Sequence, residues 1–280
     1  MPWLLAGCGT AEPVPMAQPA MWLVEDADSQ IYLLGTMHAL PRGTDWDDGA
    51  VGQAIASADE LMMELSPREL AAAGPLFQKL ALRKAPLPID ARLKDRDLAR
   101  YRALEARSGA FGGETLDDWA IMILIGQRAA RAADLSSAAG VEKGLTEIFE
   151  AADKPIRGLE SARSQLMLFE NLDAPTQRAL LTRAADQADD AIGKATALAA
   201  AWSRGDVAAM EKMINDDVDA VPAARKAIIT DRNRRWSAWA KHRMERPGTV
   251  LLAVGTGHLI GAQSVPAILE AQGMKVTRVQ

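Results

Sequence analysis

"VLLAVGTGHLIG", residues 250–261, runs from an aliphatic strand into Gly-Thr-Gly-His, and it has an echo near the other end of the chain in "IYLLGTMHALP", residues 31–41. The chain holds only three histidines, and two of them, His38 and His258, follow an apolar strand behind the same Gly-Thr-x-His. Apolar runs without polar alternation suit parallel strands buried on both faces. Gly35, Gly255 and Gly257 permit tight turns and close backbone approach to a ligand. Thr36 and Thr256 can hydrogen-bond locally and fix those turns.

Outward from these segments the pattern alternates. "MWLVE" and "QIYLLG" around the turn "DADS" predict a hairpin over 21–35. A short helix near 50–58 precedes "ELMMEL" (60–65), a second buried parallel strand closed by Ser66-Pro67. Residues 68–154 are mostly helical in pattern. Within them "TLDDWAIMILIGQRAARAA" opens on a Thr115/Asp118 capping pair and repeats apolar residues at Leu116, Trp119, Ala120, Ile123 and Leu124. "KPIRGLE" (154–160) predicts a short strand opening onto a helix, and 161–245 is nearly all helix, broken at "DAP", "RGD" and "DAVPAA". The chain ends as strand "GTVLLAVG", helix "LIGAQSVPAILEAQG" and strand "MKVTRVQ". The predicted fold class is α/β: one domain over 21–280 with a central, mostly parallel sheet and a large helical insertion at about 68–245.

Bulk properties narrow the partners. The formal charge is −5 over 280 residues with no basic block, so no electrostatic grip on nucleic acid is expected. No stretch approaches the ~18 apolar residues that span a bilayer. A single cysteine, Cys8, excludes an internal disulfide framework. Leu5-Ala6-Gly7-Cys8 resembles a bacterial lipobox, although only four residues precede Leu5, and "TAEPVPMAQPA" suits a tether. Residues 1–20 are therefore expected to be a leader and linker, with the protein in the bacterial cell envelope, either periplasmic or anchored by lipid on Cys8. The alternative is an ordinary ragged amino terminus.

In an open parallel sheet, ligands bind beyond the carboxyl ends of the strands, where loops and helix amino termini converge. Four inner strands are expected to deliver His38, Glu64, Glu160 and His258 to that edge. Each of the four can bind a metal or move a proton. Imidazole with carboxylate is a ligand set for zinc, manganese, cobalt or iron. The same groups can act on water as a general base without metal, and the two glutamates can equally cap helices or pair with arginines. Helical spacing puts Ile228, Ile229, Arg232, Trp236 and Trp239 on one face, with Asn233 at its margin. Arg232 thus points inward and needs either a carboxylate such as Glu64 or Glu160, or an anionic group on a substrate. Gln165, beside Leu166, Leu168 and Phe169, reads as a buried tie or a substrate contact. His242 reads as a surface residue near a helix end. No G-x-S-x-G elbow, Walker loop, C-x-x-C pair or dinucleotide fingerprint occurs in usable context.

Taken in order, "YLLGTMHALP", "ELMMEL", "GVEKGL" (140–145), "IRGLESARSQLMLFENL" (156–172), "RNRRW" (232–236) and "VLLAVGTGHLIG" resemble the TraB/GumN family, which includes the animal TIKI proteins. Its hallmark, a pair of G-x-x-H motifs, is matched by Gly35 with His38 and Gly255 with His258. The resemblance implies an α/β fold related to erythromycin-esterase-like and haem-binding ChaN-like proteins. It also implies metal-dependent proteolysis with manganese or cobalt, zinc being a further possibility. On that resemblance His38 and His258 are metal-binding or catalytic, Glu64 is their acidic partner, and Glu142 is a further ligand candidate. Glu160, Arg232 and Asn233 match family positions of less certain role. The expected function is a metal-dependent hydrolase, in the first place a metallopeptidase, acting on a peptide or small-molecule substrate with Arg232 steadying negative charge. The alternatives are a metal-independent esterase-like hydrolase, or a lipoprotein that binds haem or another small ligand without turnover.

Overall fold

The computed structural model describes residues 16–280, with backbone alone at 215–218. The lipobox at Cys8 and most of the expected leader lie outside the described residues.

The hairpin forms as read: β1 (Met21–Glu25) pairs antiparallel with β2 (Ser29–Thr36), and Asp26 Oδ1 closes the turn by accepting from the backbone N–H groups of Asp28 and Ser29. A two-residue strand, β3 (Leu40–Pro41), and helix α1 (Gly49–Ser57) lead to β4 (Glu60–Leu65). Four helices follow: α2 (Pro67–Leu80), α3 (Ile89–Arg92), α4 (Asp95–Ser108) and α5 (Asp118–Ala132). After β5 (Leu135–Ser136), which pairs with β3, come α6 (Val141–Ala151) and β6 (Ile156–Glu160). The second helical block is α7 (Ala162–Glu170), α8 (Ala174–Asp186), α9 (Ala191–Ser203), α10 (Val207–Val218), α11 (Pro222–Arg225) and α12 (Asp231–Arg243). The chain ends with β7 (Gly248–Gly255), α13 (Val265–Ala271) and β8 (Val276–Arg278).

The sheet order is β6-β4-β7-β2-β1-β8. β6, β4, β7 and β2 are contiguous and parallel, so the four strands expected to carry the chemistry end on one edge. β1 is antiparallel to both β2 and β8, which makes it the one reversed strand among the described residues.

Neighbouring residues of each central strand serve opposite faces. Leu34, Leu61, Met63, Leu251 and Ala253 pack against Val51, Phe149 and Trp202. Leu33, Met62, Leu252 and Val254 pack against Trp236, Ala240, Val265 and Leu269. Both faces being covered by helices is the reason these strands lack a polar alternation.

Several details differ from the sequence reading. The strand at 156–160 is the sheet's edge, not an inner strand. The last helix starts only at Val265, where Ser264 Oγ accepts from Ala267 N–H, and the strand after it crosses two others to pair with β1. The second helical block has an additional break at 187–190, between α8 and α9. The Thr115/Asp118 capping pair does not form. Asp117 occupies the N-cap, Thr115 Oγ1 donates to Gly112 O, and Asp118 is buried between Arg92 (2.6 Å) and Arg178 (2.6 Å). Asp118 is needed by those two arginines, and a buried charge left unpaired costs more than a cap gains.

Candidate functional site

β2 and β7 pair with Gly35 opposite Val254 and Thr36 opposite Gly255, so the two Gly-Thr-x-His segments leave the sheet side by side, one residue out of step. That answers why the motif recurs at opposite ends of the chain. A Cβ at Gly35 would stand 2.9 Å from Thr256 Oγ1, which itself donates to Thr36 O at 3.0 Å. A Cβ at Gly255 would meet Glu64 Oε1 at 3.2 Å. None of Gly35, Gly255 and Gly257 has positive φ. At Gly35 and Gly255 the requirement is protein-to-protein closeness, not the turn or the ligand approach expected from sequence. Both threonines likewise act between elements: Thr36 Oγ1 donates to Glu142 Oε1 at 2.5 Å.

His258 sits on a short 3-10 turn, Thr256–His258, and is 5% exposed. Its Nδ1 lies 2.6 Å from Asn233 Oδ1, and Asn233 Nδ2 donates to Gln263 O at 2.7 Å, which fixes the amide's orientation. The network therefore assigns the proton to Nδ1. Nε2 accepts from Arg232 Nη1 at 3.0 Å, and the ring rests on Trp236 at 4.4 Å between centroids. Burial holds this imidazole neutral, with its pKa down at about 3.

Arg232 is the hub. A π-helical turn, Lys226–Thr230, runs directly into α12, and Arg232 on its first turn points into the protein. All five guanidinium N–H groups reach protein acceptors. Nε donates to Glu160, Nη1 to Ile228 O and His258, and Nη2 to Glu64 (2.5 Å) and Glu160 (2.9 Å). Of the two alternatives read from the sequence, the buried ion pair is present, with both carboxylates considered for it. Glu64 also accepts from Gln165 Nε2 (2.8 Å) and Gly255 N–H (2.9 Å), and its Oε1 is 3.9 Å from His258 Nε2. Burial pushes the Glu64 carboxyl up, but Arg232 and the other partners outweigh it and hold it ionised at about 2.

His38 leaves β2 in the other direction, toward the amino terminus of α6. Val141 N–H donates to Met37 O, and a Cβ on Gly140 would fall 2.3 Å from His38 O, so only glycine lets the helix start there. Glu142, in the first turn of α6, takes His38 Nδ1 at 2.8 Å. The Glu142 carboxylate raises the His38 pKa to about 9. The His38 side chain is 77% exposed, and its Nε2 has no partner among the described residues. A cavity of about 440 Å³ is lined by His38, Glu64, Arg232 and His258 and roofed by side chains of α5, α9 and α10. A second, of about 310 Å³, holds His38, Glu64, Glu142 and Gln165. His38 and Glu64 stand where the two meet.

With that geometry in hand, comparison with known proteins is decisive on lineage: the TraB/PrgY/gumN family matches residues 20–278. The chain belongs to this family. No curated protein and no solved structure matches the chain.

In this TraB/PrgY/gumN protein the residues singled out from sequence form two groups. His38 and Glu142 stand on one side of the cavities; His258 and Arg232 line the larger one from a packed wall that includes Asn233 and Glu160, with Glu64 and Gln165 bridging the two. Glu160 lines neither cavity at His38; it faces a separate polar hollow with Ser66 and Arg235. His242 is on the surface at the end of α12, 2.9 Å from Glu245. Sequence reading missed Trp202, whose Nε1 donates to Gly35 O at 2.8 Å, as well as Gln263 and Gly140. No local pattern marks them; they act by meeting strand ends distant in sequence.

The four residues that the resemblance offers to a divalent ion do not fit one as arranged. Arg232 occupies the lone pair of His258 and an oxygen of Glu64, placing a fixed cation where the ion would share them. Among the described residues no three His, Cys, Asp or Glu side chains converge as a cation cage.

Proposed function

We propose that this protein is a hydrolase of ester or peptide bonds in which His38 takes a proton from water. What carries the reading is the His38–Glu142 pair: one ring nitrogen held by a carboxylate at 2.8 Å, the other open toward a cavity beside Glu64. In the neutral ring Nδ1–H donates to Glu142 and the Nε2 lone pair accepts the water's proton as oxygen attacks the carbonyl. Glu142 stabilises the imidazolium so formed, which then returns its proton to the leaving group. Asn233, His258, Arg232 and Glu64 position the opposite wall and keep it hydrogen-bonded.

A second reading, the metal-dependent hydrolysis implied by the resemblance, is favoured by the donor chemistry of two imidazoles and two carboxylates around adjoining cavities. It requires the Arg232 guanidinium to leave His258. Turnover of p-nitrophenyl esters and unstructured peptides by chelated protein, with and without added manganese, cobalt or zinc, separates the two. Under the first reading chelated protein is active and His38→Ala loses about 10²- to 10⁴-fold. Activity only with added metal selects the second, and full activity in His38→Ala removes both. A Soret band on haem titration without turnover would support ligand binding instead. Attachment to the cell envelope rests on the lipobox alone, and loss of fatty-acid labelling in Cys8→Ser would support it.

A further inference from the structure

A groove of about 560 Å³ runs between α5, α8 and α9, and it adjoins the His38 cavity. Ala195 lines both spaces, and consecutive residues continue from one into the other: Ala129 to Ala130 on α5, and Ile228 to Ile229 on the π-helical turn. Among the described residues its walls are mainly aliphatic, with Gln127, Arg183, Gln187 and Lys194 as the polar members.

Gly126 lies on the α5 wall of the groove. It sits inside the 15-residue helix α5, where glycine costs up to about 1 kcal/mol relative to alanine. A Cβ at Gly126 would meet nothing within 4 Å, as at the helical Gly74 and Gly193. Gly126 lines the groove, so the missing side chain leaves that space open.

Resting on the hydrolase reading, we infer that the substrate is a long-chain acyl ester whose aliphatic chain lies in this groove while its carbonyl reaches His38. The shared border places one end of the chain beside the catalytic cavity, and the aliphatic walls suit methylenes. The reaction is hydrolysis alone: water adds across the acyl–oxygen bond, giving a fatty acid and an alcohol.

The test compares p-nitrophenyl acetate, octanoate and laurate, with fluorescence of bound cis-parinaric acid as a readout that needs no turnover. Each further methylene buried is worth about a fourfold gain, so kcat/KM is expected to rise at least about a hundredfold from acetate to octanoate. Gly126→Phe is expected to abolish that rise and parinarate binding while still unfolding cooperatively. Gly126→Ala should keep both and melt higher, which shows that the helix tolerates a side chain there. Parinarate binding that Gly126→Phe removes, without turnover of any ester, would uphold the groove and sink the hydrolase reading. Turnover independent of chain length, or parinarate binding equal in wild type and Gly126→Phe, would overturn the inference.

Discussion

Arg232 holds two carboxylates and one imidazole at once, and its removal separates structure from chemistry. Arg232→Met would leave Glu64 and Glu160 buried without their cation, so equilibrium unfolding in urea should show a loss of about 3–5 kcal/mol. A variant as stable as wild type that lost only turnover would restore the clamp role. Asn233→Leu leaves the His258 Nδ1–H without an acceptor and should cost about 1–3 kcal/mol by the same measurement. The inward aim of Arg232 was legible from the spacing of Ile228, Ile229 and Trp236, because helical periodicity is local. Glu64 and Glu160 were named as its candidate partners from their places at strand ends; His258 was not, since its ring reaches Arg232 only when distant segments meet. Glu142 was reached through resemblance alone: it starts a helix, and no strand-end rule points to it.

At the scale of elements, the β2–β7 pair does most of the organising. Gly35→Ala pushes a methyl toward Thr256 Oγ1, and overpacking of this kind costs about 1–3 kcal/mol. Thr256→Ala removes the obstructing oxygen, so in a double-mutant cycle the two losses should be less than additive by at least about 0.5 kcal/mol. Simple additivity would mean that the strand ends are not in contact. The hairpin, the buried strands and the helical blocks were legible because turn residues and apolar periodicity mark them in a few neighbouring residues. The strand order was not. Nothing in "MKVTRVQ" says that it passes two strands to pair with β1, or in "KPIRGLE" that it forms the edge. Asp118 read as a cap because its three-residue spacing from Thr115 was right, while its two arginine partners lie 26 and 60 residues away.

Across the whole molecule, the site ties stability to pH. His258 has a folded pKa near 3 against an ordinary value of 6.5, so the unfolded chain binds more protons between those values and stability falls as pH drops. Glu64, lowered from 4.5 to about 2, adds to the loss through that range. Unfolding free energy should therefore begin to fall below about pH 6.5, with a slope of up to about 1.4 kcal/mol per pH unit from His258. His258→Gln should flatten the part above pH 5; an unchanged slope would show that the imidazole is not held neutral by burial. His38 acts in the opposite sense: raised to about 9, its pairing with Glu142 stabilises fully below about pH 6.5 and is lost as pH rises through 9. The two imidazoles, adjacent at the strand ends, are thus driven to opposite protonation states by burial on one side and a carboxylate on the other.

The most direct measurement is the pH dependence of kcat/KM for chelated wild type and Glu142→Gln on one p-nitrophenyl ester. With His38 as the base, wild-type activity should climb with pH to a break near 9. Glu142→Gln should move that break down toward 6.5 and lower the plateau. Superimposable profiles for the two proteins would contradict the pairing of His38 with Glu142 as the source of water activation.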